Sequence, residues 1–357
     1  MNGVAMRENL VMPTDRWLIR EMALDDVDFA RDAADVYDAI AEDVAVAFEI
    51  GVGACGAFIN ARTGLPDPEV CANYSRMKHG DLDAVSFFAA SLAAEAMRSA
   101  RFTSLMREAV ASERVVYMTT AAVFNVPSAS DLLLRATAAH LNILLARHTL
   151  PPVAVVEQTR LSDRPLDYSA RVVQGQQDGL AAGRGVTIVP EQFRGHCVVF
   201  LDDLFSTGYT IARAEIRLRR VEVATRFFLL AARIDPQAVG ESHGQIEDRL
   251  NTHAMGGTLE SFAPMLQRGH FAVVQLLLRV MLNPKHADTL PGFLAEIPTP
   301  SLLKLYAAAA SDGYRHRRQQ YYLPSLLVLE RELQERAAID AEGHILVGAV
   351  DLLALSR

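Results

Sequence analysis

The sequence predicts an α/β protein: a parallel sheet in the middle of the chain, with helical regions on both sides. Two patterns carry this expectation. Between about residues 113 and 236, short apolar runs rich in β-branched residues alternate with segments of helical period. That alternation marks a parallel sheet covered on both faces. Before and after it, apolar residues recur at helical spacing, in stripes too apolar to leave in water.

Residues 1–112 are read as a helical N-terminal region. In "FARDAADVYDAIAEDVAVAFEI", Phe29, Ala33, Val36, Tyr37, Ile40, Val44 and Phe48 fall on one helical face. "NARTGLPDPEVCANYSRMKHG" carries two prolines and reads as a loop. "DAVSFFAASLAAEAMRSARFTSLM" reads as one strong helix, capped by Asp81 or Asp83.

Residues 113–236 form the expected α/β core. "RVVYM" is the first strand, and "SASDLLLRATAAHLNILLARH" is a helix with Ser128 or Ser130 as its cap. "PVAVVEQ", "GVTIVP", "GHCVVFLDD" and "TRFFLLAARI" are strand-like, and "TIARAEIRLRRV" is the helix between the last two. Residues 237–357 return to helical patterns, including "HFAVVQLLLRVML" and "LPSLLVLERELQERAAI".

Composition narrows the function classes. Half of the 357 residues are hydrophobic, enough for a large core, and the formal net charge is −8. That sign gives no general attraction to nucleic acid or to anionic membranes. Cys55, Cys71 and Cys197 are widely separated, which suits a reduced compartment and argues against a disulfide framework or zinc site. The N-terminus lacks an apolar signal core, and "VAVAFEIGVGACGAFI" is short and carries Glu49. It is read as a buried helix and turn, and the expected location is the cytoplasm. His140, His148, His196 and His286 show no metal-ligand spacing. "SDGYRHRRQQYY" is basic and aromatic, a composition that can stack on nucleic acid. A solvated helix face or an interface is the favoured reading.

The densest signal is "CVVFLDDLFSTGYTIARAE", Cys197 to Glu215. Four apolar residues run into two carboxylates, followed by a hydroxyl-rich turn and a helix. An unpaired carboxylate at the end of a buried strand is costly and needs donors. Sugar hydroxyls or a Mg²⁺ hydration shell would supply them. The turn opens a helix whose free N–H groups and dipole favour a phosphate, and Gly208 permits close backbone approach. One segment thus offers a diol site beside a phosphate site, as a ribose 5-phosphate requires.

"VVFLDDLFSTGYT" resembles the phosphoribosyl-pyrophosphate signature of the type I phosphoribosyltransferase family: four apolar residues, two acids, an apolar residue, a variable one, a small or acidic one, Thr-Gly, any residue and Thr. The resemblance implies a parallel-sheet type I phosphoribosyltransferase-like core with N- and C-terminal helical regions. It implies that Asp202 and Asp203 hold the ribose hydroxyls, with indirect contact to Mg²⁺ through water. Ser206, Thr207, Gly208, Tyr209 and Thr210 would cradle the 5-phosphate. Tyr209 replaces a frequent glycine, and Ser206 stands where purine-base members carry an acid that contacts the base. By position, Thr119, Thr120 and Ala121 would form the pyrophosphate loop. Arg160 and Arg164, with Tyr168 and Arg171 as softer candidates, would belong to a mobile hood.

The implied reaction displaces pyrophosphate from the anomeric carbon by a nitrogen acceptor that the sequence does not identify. No residue identifies itself as a general base. The alternative is a non-catalytic sensor of phosphoribosyl pyrophosphate or a nucleotide, or the effector subunit of a bacterial stress or conflict system. The helical regions are expected to form an acceptor pocket, a homodimer interface or a docking surface for a partner protein.

Overall fold

The computed structural model describes residues 37–53, 56–121, 125–158, 191–235, 243–315 and 319–346. Its centre is a six-stranded sheet: β1 (Val44–Val52), β2 (Phe58–Asn60), β3 (Val116–Thr119), β4 (Ala154–Val155), β5 (Cys197–Phe205) and β6 (Thr225–Ile234). The spatial order is β2-β1-β6-β5-β3-β4. All neighbours are parallel except β1 and β2, which form an antiparallel hairpin.

Strands β3, β5 and β6 and helices α4 (Ala129–Arg147) and α5 (Tyr209–Arg220) match the sequence expectation. Ser128 caps α4 through a reciprocal pair with Asp131. "PVAVVEQ" yields only the two-residue strand β4. The expected strand "GVTIVP" lies outside the described residues, apart from its neighbours from Glu191 onward.

The N-terminal region departs from its helical reading. Val44–Val52 is a strand, parallel to β6, and the segment read as helix and turn is the β1–β2 hairpin. Apolar residues occupy both faces of VAVAFEIGV, so a helical stripe and a doubly buried strand are equally legible there. The β-branched and aromatic residues at every second position favour the strand once β6 is available to pair. The sheet therefore takes two of its six strands, β1 and β2, from outside residues 113–236.

The loop read at 60–80 is also corrected. It contains helix α1 (Pro68–Lys78), capped by Asp67, which accepts from the Val70 N–H at 3.3 Å, with Pro68 in the first turn. The single helix expected after it is two. Helix α2 (Leu82–Arg98) is capped by Asp81, and α3 (Ala100–Ala111) by Ser99, which accepts from the Phe102 N–H at 3.2 Å.

Helices α2 and α4 cover one sheet face through Phe88, Leu92, Leu133 and Leu141. Helix α5 covers the other, with Ile211 and Leu218 against Phe200 and Phe228. After the sheet, α6 (His243–Asn251) packs Ile246 and Leu250 into the sheet core, while α7 (Ala263–Arg268), α8 (Gln275–Met281), α9 (Leu290–Ala295), α10 (Thr299–Ser311) and α11 (Gln319–Glu335) build a separate core around Phe262, Leu278, Leu302 and Leu329. Val126, from the segment after β3, is part of that core. Among the described residues no helix is long and apolar enough to cross a membrane. In the basic-aromatic cluster Tyr314 and Tyr322 are buried, with ring centroids 5.1 Å apart, and Arg315 pairs with Glu330. Those two rings serve the helical core.

Candidate functional site

Strand β5 is buried along its whole length and continues two residues past the acid pair, to Phe205. The acids therefore lie inside the strand, not at its end. Asp202 and Asp203 are only 6% and 7% exposed, so both need partners.

Asp203 finds one in a residue the sequence reading missed. Lys78, at the end of α1, donates from Nζ to Asp203 Oδ2 at 2.6 Å. Asp202 Oδ1 accepts from its neighbour's N–H at 3.1 Å and from the Ser130 hydroxyl at 3.5 Å. A third carboxylate comes from α6: Glu247 Oε2 accepts from the Ser206 hydroxyl at 3.0 Å.

These charges act on one another. Burial, reinforced by the charge of Asp203, holds the Asp202 carboxyl well above the usual carboxylate range. Burial also raises Glu247, against the pull of Lys78. Burial alone would lower Lys78, but Asp203, Glu247 and Asp202 together outweigh it and hold the ammonium above its ordinary value. Tyr74, one turn before Lys78 on α1, is fully buried beneath the cluster, and its phenol is pushed well up by burial and by Asp203.

The turn after β5 has the conformation an anion site needs. Gly208 sits at the helix N-cap with φ +72°, a left-handed conformation that suits glycine. No side chain caps α5. An uncapped helix start of this kind suits an anion or water. Tyr209 N donates to the Thr207 hydroxyl at a long 3.5 Å. The Tyr209 hydroxyl accepts from Arg213 at 2.8 Å, and the guanidinium carbon lies 5.2 Å from the ring centre. Arg213, one turn further along α5, thus engages both the ring and the hydroxyl. Thr210 occupies the first turn of α5, half-buried.

The residues expected in the pyrophosphate loop divide. Thr119 donates to the Val156 carbonyl at 2.7 Å and accepts from Gln158 at 3.2 Å, tying β3 to the chain after β4. Thr120 is buried with no hydrogen-bond partner for its hydroxyl. Ala121 is half-buried beside the α5-side core. Just beyond, Asn125 donates to the Ser311 carbonyl at 2.6 Å, and Gln275 to the Val126 carbonyl at 3.2 Å. The segment after β3 is therefore held by α8 and the end of α10. Arg160, Arg164, Tyr168 and Arg171 lie outside the described residues.

A signal for Lys78 was present in the sequence. Asp-Pro-Glu at 67–69 is a helix start, with an N-cap, a proline in the first turn and an early acid. It would have placed Lys78 on a helix. Glu247 gave no such signal, because its approach depends on how α6 folds back over the sheet.

A mostly parallel sheet, an acid pair within its central strand and an uncapped glycine turn opening a helix define a phosphoribosyltransferase-type fold. The sequence profile of the PRTase ComF-like family matches residues 67–326. That span is well over half of the chain, and the chain belongs to this family. It includes Lys78, the acid pair, Glu247 and most of the C-terminal helices. No curated protein matches the chain.

Proposed function

We propose that the protein binds phosphoribosyl pyrophosphate with Mg²⁺ and transfers the phosphoribosyl group to a nitrogen acceptor. One observation carries this: Asp202 and Asp203 lie five residues or so ahead of a left-handed glycine that opens an uncapped helix. The acids suit a diol, and the helix start suits the 5-phosphate. The buried, unpartnered Thr120 hydroxyl on the neighbouring strand's loop supports a further polar contact there.

In this reading Asp203 exchanges part of its bond to Lys78 for a ribose hydroxyl, and Asp202 orients the second hydroxyl. Thr207, Gly208, Tyr209 and Thr210 hold the phosphate through backbone N–H groups, with the hydroxyls of Ser206, Thr207 and Thr210 nearby. Arg160 and Arg164 would approach from the segment after β4. Among the described residues, the one group of three side chains able to converge on a metal is Asp340, Glu342 and His344. Asp202, Asp203 and Glu247 do not so converge. The site therefore fits a Mg²⁺ held by the ligand and reached by Asp202 and Asp203 through water. When bound, the ion would draw off charge developing on the leaving pyrophosphate.

Isothermal titration with phosphoribosyl pyrophosphate, in Mg²⁺ and in EDTA, tests the reading. Binding at least tenfold tighter with Mg²⁺ is expected, together with pyrophosphate release on at least one of a panel of bases. Asp202→Asn with Asp203→Asn should abolish binding while the fold persists. Absence of binding by the wild-type chain would sink the reading.

A second reading has its own support. The tie from Asn125 and Val126 to α8 and α10 links the segment after β3 to the C-terminal helices. Ligand occupancy could be passed along it to a partner, as a sensor or effector subunit requires. Tight binding with no pyrophosphate release on any base would favour that role.

A further inference from the structure

Ser206 occupies the signature position where an acid that reads the base is commonly found, and a hydroxyl cannot replace a carboxylate there. Yet a carboxylate does reach this position in space. Glu247, on α6 and 41 residues further along, accepts from the Ser206 hydroxyl at 3.0 Å through Oε2. Its Oε1 makes no hydrogen bond to a described residue.

Three features suggest that this contact is more than a surface accident. First, the Ser206 hydroxyl fixes one oxygen and so orients the other. Second, Glu247 shares its surroundings with Lys78 and Asp203, whose charges it feels. It is therefore part of the same charge cluster as the acid pair. Third, α6 is anchored where it approaches: Ser75 of α1 donates to the Asn251 carbonyl at 2.7 Å and accepts from Met255 N–H at 3.0 Å. Arg249 binds the Gly56 carbonyl and stacks on Phe58 at 5.0 Å. Helix α6 is thus pinned to both α1 and the β1–β2 hairpin.

We infer that Glu247 is the acceptor-reading residue, supplying from α6 the carboxylate that the signature lacks at Ser206. The acceptor it fits is a nitrogen heterocycle that presents an N–H or NH₂ donor to Oε1. This rests on the ribose-phosphate reading of the same site. A carboxylate facing a donor discriminates strongly, because a base offering only acceptors would meet it lone pair to lone pair.

The test uses the full chain and product-side probes, so no acceptor need be known. Ribose 5-phosphate is titrated beside AMP, GMP, IMP, UMP and CMP, whose bases all carry a donor. At least one nucleotide should bind tenfold or more tighter than ribose 5-phosphate, the scale of a hydrogen bond to a charged group. In Glu247→Gln the gain of nucleotide over ribose 5-phosphate, both measured in the variant, should disappear, and any general effect of the lost charge on the phosphate cancels in that ratio. Ser206→Ala, whose hydroxyl orients Glu247 and also lies by the phosphate, should lose part of the gain when each nucleotide is compared with ribose 5-phosphate in the same variant, and Glu247→Asp should keep some of it. If no nucleotide exceeds ribose 5-phosphate, or the gain survives in Glu247→Gln, the assignment to Glu247 is overturned alone. If neither ribose 5-phosphate nor phosphoribosyl pyrophosphate binds the wild-type chain, the ribose-phosphate reading falls and takes this one with it.

Discussion

Replacing Lys78 by methionine isolates the least expected feature of the site. The Lys78 and Asp203 side chains are 17% and 10% exposed, so theirs is a buried ion pair, not a screened surface contact. At 2.6 Å and an effective dielectric near 20, the gross attraction is about 6 kcal/mol. Desolvation of both ions offsets much of it. Removing one partner, however, leaves the other charged and buried, which typically costs about 3–5 kcal/mol. Lys78→Met keeps an aliphatic stem, so the main thing lost is the charge, which also lies 5.9 Å from the Tyr74 ring centre. We expect destabilisation of about 3 kcal/mol at pH 8.

The pH dependence supplies the decisive check. Lys78 has a raised pKa, so its own contribution is fully present below the ordinary lysine value and is lost only above it. Between pH 5 and 8 any change must therefore come from the carboxylates and from His79, whose pKa Lys78 helps to lower; losing that push also eases the variant at low pH, in the same direction. Asp202 and Glu247 are already raised by burial and lose the opposing pull of Lys78 in the variant. Groups raised in the folded state favour folding at low pH and lose that contribution as pH rises through their folded values. The deficit should thus widen from pH 5 to pH 8. Urea denaturation with an unchanged slope measures it. Lys78→Met with Asp203→Asn should recover more than half of the loss, since no charge is then stranded. A deficit under about 1 kcal/mol that is flat with pH would refute the buried-pair argument.

Three further outcomes follow from the same geometry. Asp202→Asn should raise stability at pH 8, because the wild-type carboxyl is held well above its usual range and is disfavoured when ionised; the gain should fade as pH falls, and a thermal melt with no gain at pH 8 would count against it. His79 is buried against Phe262, donates from Nδ1 to the Ser75 carbonyl at 2.8 Å, and has its pKa lowered to about 4 by burial. Its contribution is present above the ordinary histidine value and is lost as pH falls towards 4, by up to about 3 kcal/mol. His79→Gln should flatten the wild-type stability profile between pH 6.5 and 4, and an unchanged slope would show that another group titrates. Gly208→Ala should destabilise by about 1–2 kcal/mol, the penalty for a side chain in the left-handed region; a midpoint shift below a third of that would mean the turn relaxes to another conformation.

The sequence was most legible where local chemistry decides the structure. The body of β5, a serine cap at 128 and a glycine opening the helix at 208 are specified within a few residues and appear, although β5 runs two residues past the acids and the cap also enlists Asp131. It was least legible where a tertiary neighbour arbitrates. Val44–Val52 satisfies a helical stripe and a two-faced strand alike, and only the presence of β6 decides between them. The prolines around Leu65 to Pro68 suggested a loop, although Pro68 opens a helix. The acid pair was found, but its partners were not. Lys78 lies 125 residues before Asp203, and Glu247 lies 41 after Ser206. No local pattern could have joined them.

Those two partners change what the flanking regions do. The N-terminal region contributes β1 and, through α1, an ammonium at Asp203; the C-terminal region contributes a carboxylate at Ser206 and a grip on the segment after β3. Each flank thus places a side chain directly against the signature segment. The result is three carboxylates against one ammonium, with Asp202 biased towards its neutral form. Such a cluster resists a bare polyanion, since like charges in a desolvated site repel strongly. On the proposed reading it would accept a sugar phosphate more readily when the ligand carries its own divalent cation. On the proposed reading, the acid excess explains why binding should depend on Mg²⁺ even though no protein cage of three ligands stands at Asp202 and Asp203. It also explains why Lys78 is held by Asp203: the ammonium satisfies the acid until a ribose hydroxyl can share it.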